Sequence, residues 1–281
     1  MNRHALLGLA LALAAGPAAT EDAPRVISLG GSVTEIVVAL GAGDRLVARD
    51  TTSTYPASVE ALPDVGYVRA LSAEGVLALS PDLILAEDGA GPPEAVDLLQ
   101  AAGIGYAKIP AATTPEGVIG KITAVAAALE MPEAGAKLAA QVSAEMDKVA
   151  AAVADVTQPK RVLFVLSLQG GRVMAGGEGS TAEGIIELAG GVNAASGFQG
   201  YKPMTDEAIL TAAPDVILMM NRHGDDPGSN ADVMAQPALS QTPAARAGAV
   251  VRMDGLLLLG FGPRLPEAAM TLHDALYPAK G

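Results

Sequence analysis

The sequence predicts an α/β fold of two similar lobes, joined by a single long α-helix and separated by a ligand cleft. Three observations lead there. Short apolar runs alternate with helical patterns at both ends of the chain, which argues for mostly parallel, helix-covered sheets. One segment repeats: Leu71-Ser72-Ala73-Glu74-Gly75-Val76-Leu77-Ala78-Leu79-Ser80-Pro81-Asp82-Leu83-Ile84-Leu85 returns as Met204-Thr205-Asp206-Glu207-Ala208-Ile209-Leu210-Thr211-Ala212-Ala213-Pro214-Asp215-Val216-Ile217-Leu218. Between the copies, Glu133 to Val156 is rich in alanine and free of proline, and alanine is the best helix former. Two copies suggest two like lobes, since a solenoid needs more repeats.

In chain order, Arg3 and His4 precede an apolar run from Ala5 to Ala15 and the small residues Gly16-Pro17-Ala18-Ala19. This reads as a cleaved signal peptide within residues 1–23, so the mature chain is expected to be soluble and exported. The N-terminal lobe is expected over 24–132. Arg25 to Leu29 reads as a strand ending in Gly30-Gly31, and Ser32-Val33-Thr34-Glu35 fits a capping box. The helix then runs to Leu40 and stops at Gly41. Arg45 to Ala48 reads as a second strand. The stretch Gly66-Tyr67-Val68-Arg69-Ala70-Leu71-Ser72-Ala73-Glu74-Gly75 follows, with Ser72 as a helix cap and Glu74 favoured by the helix dipole. Leu83 to Ala86 is a buried strand, Gly89 to Pro93 a turn, Glu94 to Ala102 a helix, and Gly105 to Ile109 another strand. The linking helix is expected over 133–156 and the second lobe over 157–281. In that lobe Arg161 to Leu166 reads as a strand, and Ser180 to Gly191 echoes the first capping pattern. Each lobe thus reads as Rossmann-like.

Composition bounds the function. A formal net charge of −13 argues against nucleic acid or an anionic membrane as partner. The absence of cysteine removes disulfides, thiolate metal sites, a cysteine nucleophile and the cysteine of a lipoprotein anchor. Of three histidines, one lies in the leader, too few for a dedicated zinc or manganese site. An exported enzyme is disfavoured: no G-x-S-x-G elbow is present, and a Ser/His pair would need His223 or His273. Clefts between lobes bind small ligands. Each lobe offers a tyrosine loop just before the repeated glutamate, Tyr67 before Glu74 and Tyr201 before Glu207. A lone Tyr67 would read as a packed surface aromatic; the doubling points both tyrosines at the cleft.

These stretches resemble the helical-backbone substrate-binding proteins that serve ABC importers for heme, siderophores and cobalamin. The heme-binding members are similar at Gly66 to Gly75, at Glu187-Leu188-Ala189-Gly190-Gly191, at Gly200-Tyr201-Lys202-Pro203 and at Met253-Asp254-Gly255-Leu256-Leu257-Leu258-Leu259-Gly260-Phe261-Gly262-Pro263-Arg264. The resemblance covers about Pro24 to Pro278. It implies heme b as a transported ligand, not a catalytic cofactor, with Tyr67 as the axial ligand of its iron. Phenolate is a hard anionic donor suited to ferric iron, a proximal ligand type known for heme. Arg69 then either favours the anion or pairs with a heme propionate. The resemblance also implies that Glu74 and Glu207 dock on arginines of the membrane permease, and that a monomer captures the ligand. Tyr201, Arg172 and Arg264 complete the expected ligand contacts. Some relatives place a histidine on the second lobe. Here Ser167 to Arg172 holds none, and His223 is the weak substitute. Met174 and Met204 read as packing rather than sulfur ligands. A ferric siderophore carrier is the alternative reading, with the arginines and tyrosines holding an anionic chelate. Cobalamin is disfavoured by the lack of tryptophan and by only three phenylalanines.

Overall fold

The computed structural model describes residues 23–169, 172–221 and 229–278. The expected leader and His223 lie outside the described residues. In the first lobe, β1 (Val26–Leu29), α1 (Gly31–Ala39), β2 (Leu46–Arg49), α2 (Ala73–Leu77), β3 (Leu83–Glu87), α3 (Pro93–Ala101), β4 (Gly105–Ile109) and α4 (Pro115–Ala128) alternate. The strands form a parallel sheet in the order β2-β1-β3-β4. Helices on both faces explain why β1 is buried at every position.

The linking helix, α5, spans Pro132–Val153. It starts one residue before the expected segment and ends three before it. Proline suits its first turn, where the missing N–H has no helical partner. Val142, Met146 and Val149 share its buried face with Gly135. A Cβ at Gly135 would stand 2.3 Å from that of Ala126, so glycine is what lets α5 lie directly on α4.

The second lobe runs β5 (Arg161–Gln169), β6 (Arg172–Gly176), α6 (Thr181–Leu188), β7 (Val192–Asn193), β8 (Tyr201–Met204), α7 (Asp206–Ala212), β9 (Val216–Asn221), α8 (Asn230–Met234), α9 (Pro243–Ala247), β10 (Val250–Asp254), α10 (Gly255–Leu259) and α11 (Leu265–Leu276). Its sheet order is β10-β9-β5-β6-β8, with β7 paired to the start of β5. The hairpin strand β6 is antiparallel to both neighbours.

Among the described residues, three apolar clusters form the interior. The largest is continuous from Val33, Ile36 and Ile122 through Val149 to Ile185, Phe261 and Leu272, so it belongs to both lobes at once. The other two lie on the outer sheet faces, around Ile27, Leu29, Ile84 and Leu99 in the first lobe and Leu163, Ile209 and Ile217 in the second.

Two local expectations need correction. Ser32 does not cap α1. Gly30, at φ +116°, is the residue before the helix, and its carbonyl accepts the N–H groups of Val33 and Thr34. A side chain at that φ would be strained, so the helix begins two residues earlier than the serine suggested, and Ser32 and Glu35 are released for other partners. Tyr201, expected in a loop, begins strand β8. Pro203 is tolerated there because β8 is an edge strand.

Candidate functional site

The site is built from the loops that leave the strand ends. Asp50, immediately after β2, is fully buried. Its carboxylate accepts the Gly30 and Thr52 N–H groups at 3.0 Å and the Thr52 and Ser53 hydroxyls at 2.7 Å. That sews the first loop of β1 to the chain leaving β2. Farther on, a tight turn closes when the Ala70 N–H donates to the Tyr67 carbonyl at 2.7 Å. Val68 is buried in the outer core of the lobe, while Tyr67 is 47% exposed and Arg69 is exposed. The tyrosine–x–arginine spacing is thereby explained: the middle residue anchors and its two neighbours point outward. Gly91 braces the turn, its N–H donating to the Val68 carbonyl at 2.9 Å and its carbonyl accepting from Leu71 at 2.8 Å. Ser72 caps α2, its hydroxyl accepting from the Gly75 N–H at 3.2 Å. Among the described residues, neither the Tyr67 hydroxyl nor the Arg69 guanidinium has a hydrogen-bond or carboxylate partner.

Tyr201 is different. Its backbone lies opposite Gly176 in the sheet, its hydroxyl is 2.8 Å from Thr181 Oγ1 at the start of α6, and its ring meets Phe164 edge-on at 6.2 Å. Although the ring is 36% exposed, burial is the largest influence on the phenol and pushes its pKa above the ordinary value of 10.0. Thr181, the Ala182 N–H, Ser180 and the Arg69 charge oppose that rise. The influence of Arg69 on Tyr201 brings the turn of one lobe within electrostatic reach of the strand of the other. The two tyrosines therefore share a space but are not equivalent: one hydroxyl is free and the other is engaged. Lys202, beside Tyr201, is exposed.

The other predicted residues are dispersed. Arg172 pairs with Gln169 at the end of the β5–β6 hairpin, four residues from Gly176, hence ~13 Å along the sheet from the row of Tyr201. Arg264 binds Glu35 through two bonds, Nε to Oε2 at 3.1 Å and Nη2 to Oε1 at 2.6 Å, and its guanidinium lies 3.6 Å from the Tyr55 ring centroid. A planar cation between a carboxylate and a π face satisfies both. Burial pushes the Glu35 carboxyl above its ordinary range, more than Arg264 pulls it down. Beside this pair, the fully buried Lys121 amine donates to Glu87, to Ser32 Oγ at 2.8 Å and to the Gly260 carbonyl at 3.3 Å. Both groups tie the N-terminal part of the chain to the segment Gly260–Arg264. Glu74 and Glu207 each stand at the second position of their helices, exposed. The caps before them match, Ser72 in one lobe and Thr205 in the other. Met204 is core. Among the described residues, no group of three or more histidine, cysteine, aspartate or glutamate side chains could hold a bare metal ion, and no helix is long and apolar enough to cross a membrane.

Tyr55, Lys121 and Glu87 are not singled out by the sequence, and Glu35 is read there only as part of a capping box. A lysine on the apolar stretch of α4 was the one available signal, since a charge there is either at the surface or paired.

Comparison with known proteins decides the family. The model of the family described as "Periplasmic binding protein" matches residues 26–256. The chain belongs to this family. As a periplasmic binding protein it carries a binding site rather than a catalytic one. It is similar to the solved structure titled periplasmic heme-binding protein BhuT in complex with two hemes. The two are 44% identical over 90% of this chain and 97% of that one, with a TM-score of 0.85. It is also similar to the periplasmic heme-binding protein RhuT from Roseiflexus sp. RS-1 in apo form, at 37% identity over 91% and 98% of the two chains and a TM-score of 0.87. A curated relative, the vitamin B12-binding protein of Yersinia pestis (strain Pestoides F), is 32% identical over 71% of this chain and 70% of its own length.

Proposed function

We propose that this periplasmic binding protein captures heme and delivers it to an inner-membrane ABC transporter, with Tyr67 as the axial ligand of ferric iron. The observation that carries the reading is one turn presenting a free phenol and an unpaired guanidinium, opposite a second tyrosine whose hydroxyl is already engaged. Phenolate is a hard anionic oxygen, suited to ferric iron and in use as a heme ligand elsewhere. Arg69, two residues on, supplies positive charge either to the phenolate or to a propionate. Tyr201 offers its ring and an already bonded hydroxyl as the opposite wall, with Lys202 as a second cation. Arg172 is the candidate contact for a propionate farther along the cleft. Arg264 contributes from where Glu35 and Tyr55 already hold it. Similarity to BhuT and RhuT, both named for heme, supports this choice over a ferric siderophore. Heme is cargo here.

Release to a transporter needs a docking face, and the exposed Glu74 and Glu207 supply one carboxylate from matching helices of each lobe. The chain acts as a monomer in this scheme, one lobe on each half of the permease.

The test is a set of visible spectra of the purified protein titrated with hemin, with a ferric siderophore and with cobalamin. A high-spin tyrosinate spectrum with hemin supports the reading. Binding of the siderophore or of cobalamin, with hemin ignored, replaces it.

A further inference from the structure

We propose that Asp64 is a positioning residue for Tyr67; the proposal rests on Tyr67 as the iron ligand. The Tyr67 side chain has no hydrogen bond of its own among the described residues and is 47% exposed. Its aim is therefore set by the backbone that carries it, and a ligand atom gains from being held before its target arrives.

That backbone is pinned by Asp64. Oδ1 accepts the Gly66 N–H at 2.8 Å and the Thr51 hydroxyl at 3.2 Å. Oδ2 faces Arg49 Nη1 at 3.2 Å. Arg49 is itself fixed: its side chain is 12% exposed, and it donates to the Val59 and Asp50 carbonyls at 3.1 Å. The carbonyl of Gly66 is held in turn by the Thr51 N–H at 3.0 Å. Both peptide groups of Gly66 are thus engaged, one through the Asp64 side chain and one through β2's continuation. The second of those peptides is the one that enters Tyr67. Gly66 sits at φ +94° with open space around its α-carbon. Glycine is there for its conformation, not for lack of room. Tyr201 shows the contrast: a strand holds its backbone and Thr181 holds its hydroxyl, so it needs no such pin.

A carboxylate that only stabilised the loop would change melting and leave the iron spectrum alone; a positioning residue changes the iron spectrum as well. The experiment titrates hemin into the wild type, Tyr67→Phe, Asp64→Ala, Asp64→Asn and Gly66→Ala, recording the tyrosinate charge-transfer band, the affinity and the thermal melt. Asp64→Ala is expected to lose band intensity and to bind hemin about tenfold more weakly, the equivalent of one charge-assisted hydrogen bond, in addition to a lower melt from the stranded Arg49. Asp64→Asn keeps the Oδ1 acceptor and should restore band and affinity. Gly66→Ala, strained at its positive φ, should lower the melt and repeat the loss of band intensity and affinity. A wild-type band and affinity in Asp64→Ala would overturn the proposal. So would an Asp64→Asn as impaired as the alanine, since the charge on Arg49 rather than the pin would then be operating. A wild type whose band survives Tyr67→Phe is a separate outcome, because it removes the ligand assignment itself.

Discussion

Arg264 and Glu35, 229 residues apart in the chain, meet in a two-bond ion pair. Their side chains are 18% and 5% exposed, so the pair is nearly dry. Burial outweighs Arg264 at the carboxylate, raising its pKa, whereas at the guanidinium the bond to Glu35 contributes to an upward shift despite burial. Glu35 is the more deeply buried partner, so its charge is the one that is costly to strand.

Arg264→Ala should therefore destabilise the protein by about 3 kcal/mol at neutral pH, measured by denaturant unfolding. The sign of its pH dependence follows. A carboxyl raised above 4.5 contributes stability that is fully present below that value and is lost as pH rises through the folded pKa. Removing Arg264 raises the folded pKa further. The deficit relative to wild type should shrink between pH 7 and pH 5, and a deficit that grows on acidification would contradict this account.

The same ties bear on motion. With Arg264 on Glu35 and Lys121 on the Gly260 carbonyl, the lobes have little freedom to swing. Solution scattering curves with and without hemin should superimpose for the wild type. Arg264→Ala should broaden the ligand-free distribution. A large contraction of the wild type on loading is the result that would defeat the expectation.

Tyr67→Phe keeps the ring and removes the oxygen. The tyrosinate bands should vanish and the affinity for hemin should fall by more than about 1.4 kcal/mol, tenfold, with the melting temperature unchanged. Arg69→Ala should weaken binding by about 1.5–3 kcal/mol at most. Tyr201→Phe should leave the iron spectrum intact; loss of the bands there instead would move the ligand to the other lobe.

Tyr201 should also betray itself by titration. Its phenol ionises above 10.0 because of burial, so its contribution to stability is fully present below about pH 10 and is lost as pH rises through the folded value. Absorbance at alkaline pH should show two late-ionising tyrosines, Tyr201 and Tyr106, the latter also raised chiefly by burial, and one fewer in Tyr201→Phe. An ordinary titration curve in both proteins would contradict it.

Glu74→Lys combined with Glu207→Lys should abolish heme uptake by cells while leaving hemin affinity unchanged. Each exposed carboxylate is worth only about 0.3–1 kcal/mol to its helix, so the fold should hold. Normal uptake by the double variant would exclude this docking face.

Local features were legible in the sequence and distant ones were not. Ser72 with Glu74, and Thr205 with Glu207, were readable because a cap and its helix lie within four residues of each other. Ser32 misled for a related reason: its pattern is correct for a capping box, but Gly30 can adopt the backbone that starts the helix sooner, and pattern alone does not weigh that. The repeat suggests a loop at Tyr201 by analogy with Tyr67, whereas Tyr201 begins an edge strand, and edge position is a property of the sheet rather than of the segment. Arg264 was marked as a ligand contact. Its partner lies at the other end of the chain, and no periodicity links residues so far apart. The Tyr67 turn was identified, but its supports, Asp64 and Gly91, act through backbone groups that the residue types do not announce.

The continuous core has a consequence for how such a chain is made. Val33 and Ile36 from the first lobe share one apolar cluster with Ile185, Phe261 and Leu272 from the second. The N-terminal half therefore cannot finish burying its apolar face until the last helices have emerged. A nascent or translocating chain is sticky for most of its length, and a fragment ending after α4 would stay so. Heating should melt both lobes in one cooperative transition, since neither owns a complete interior.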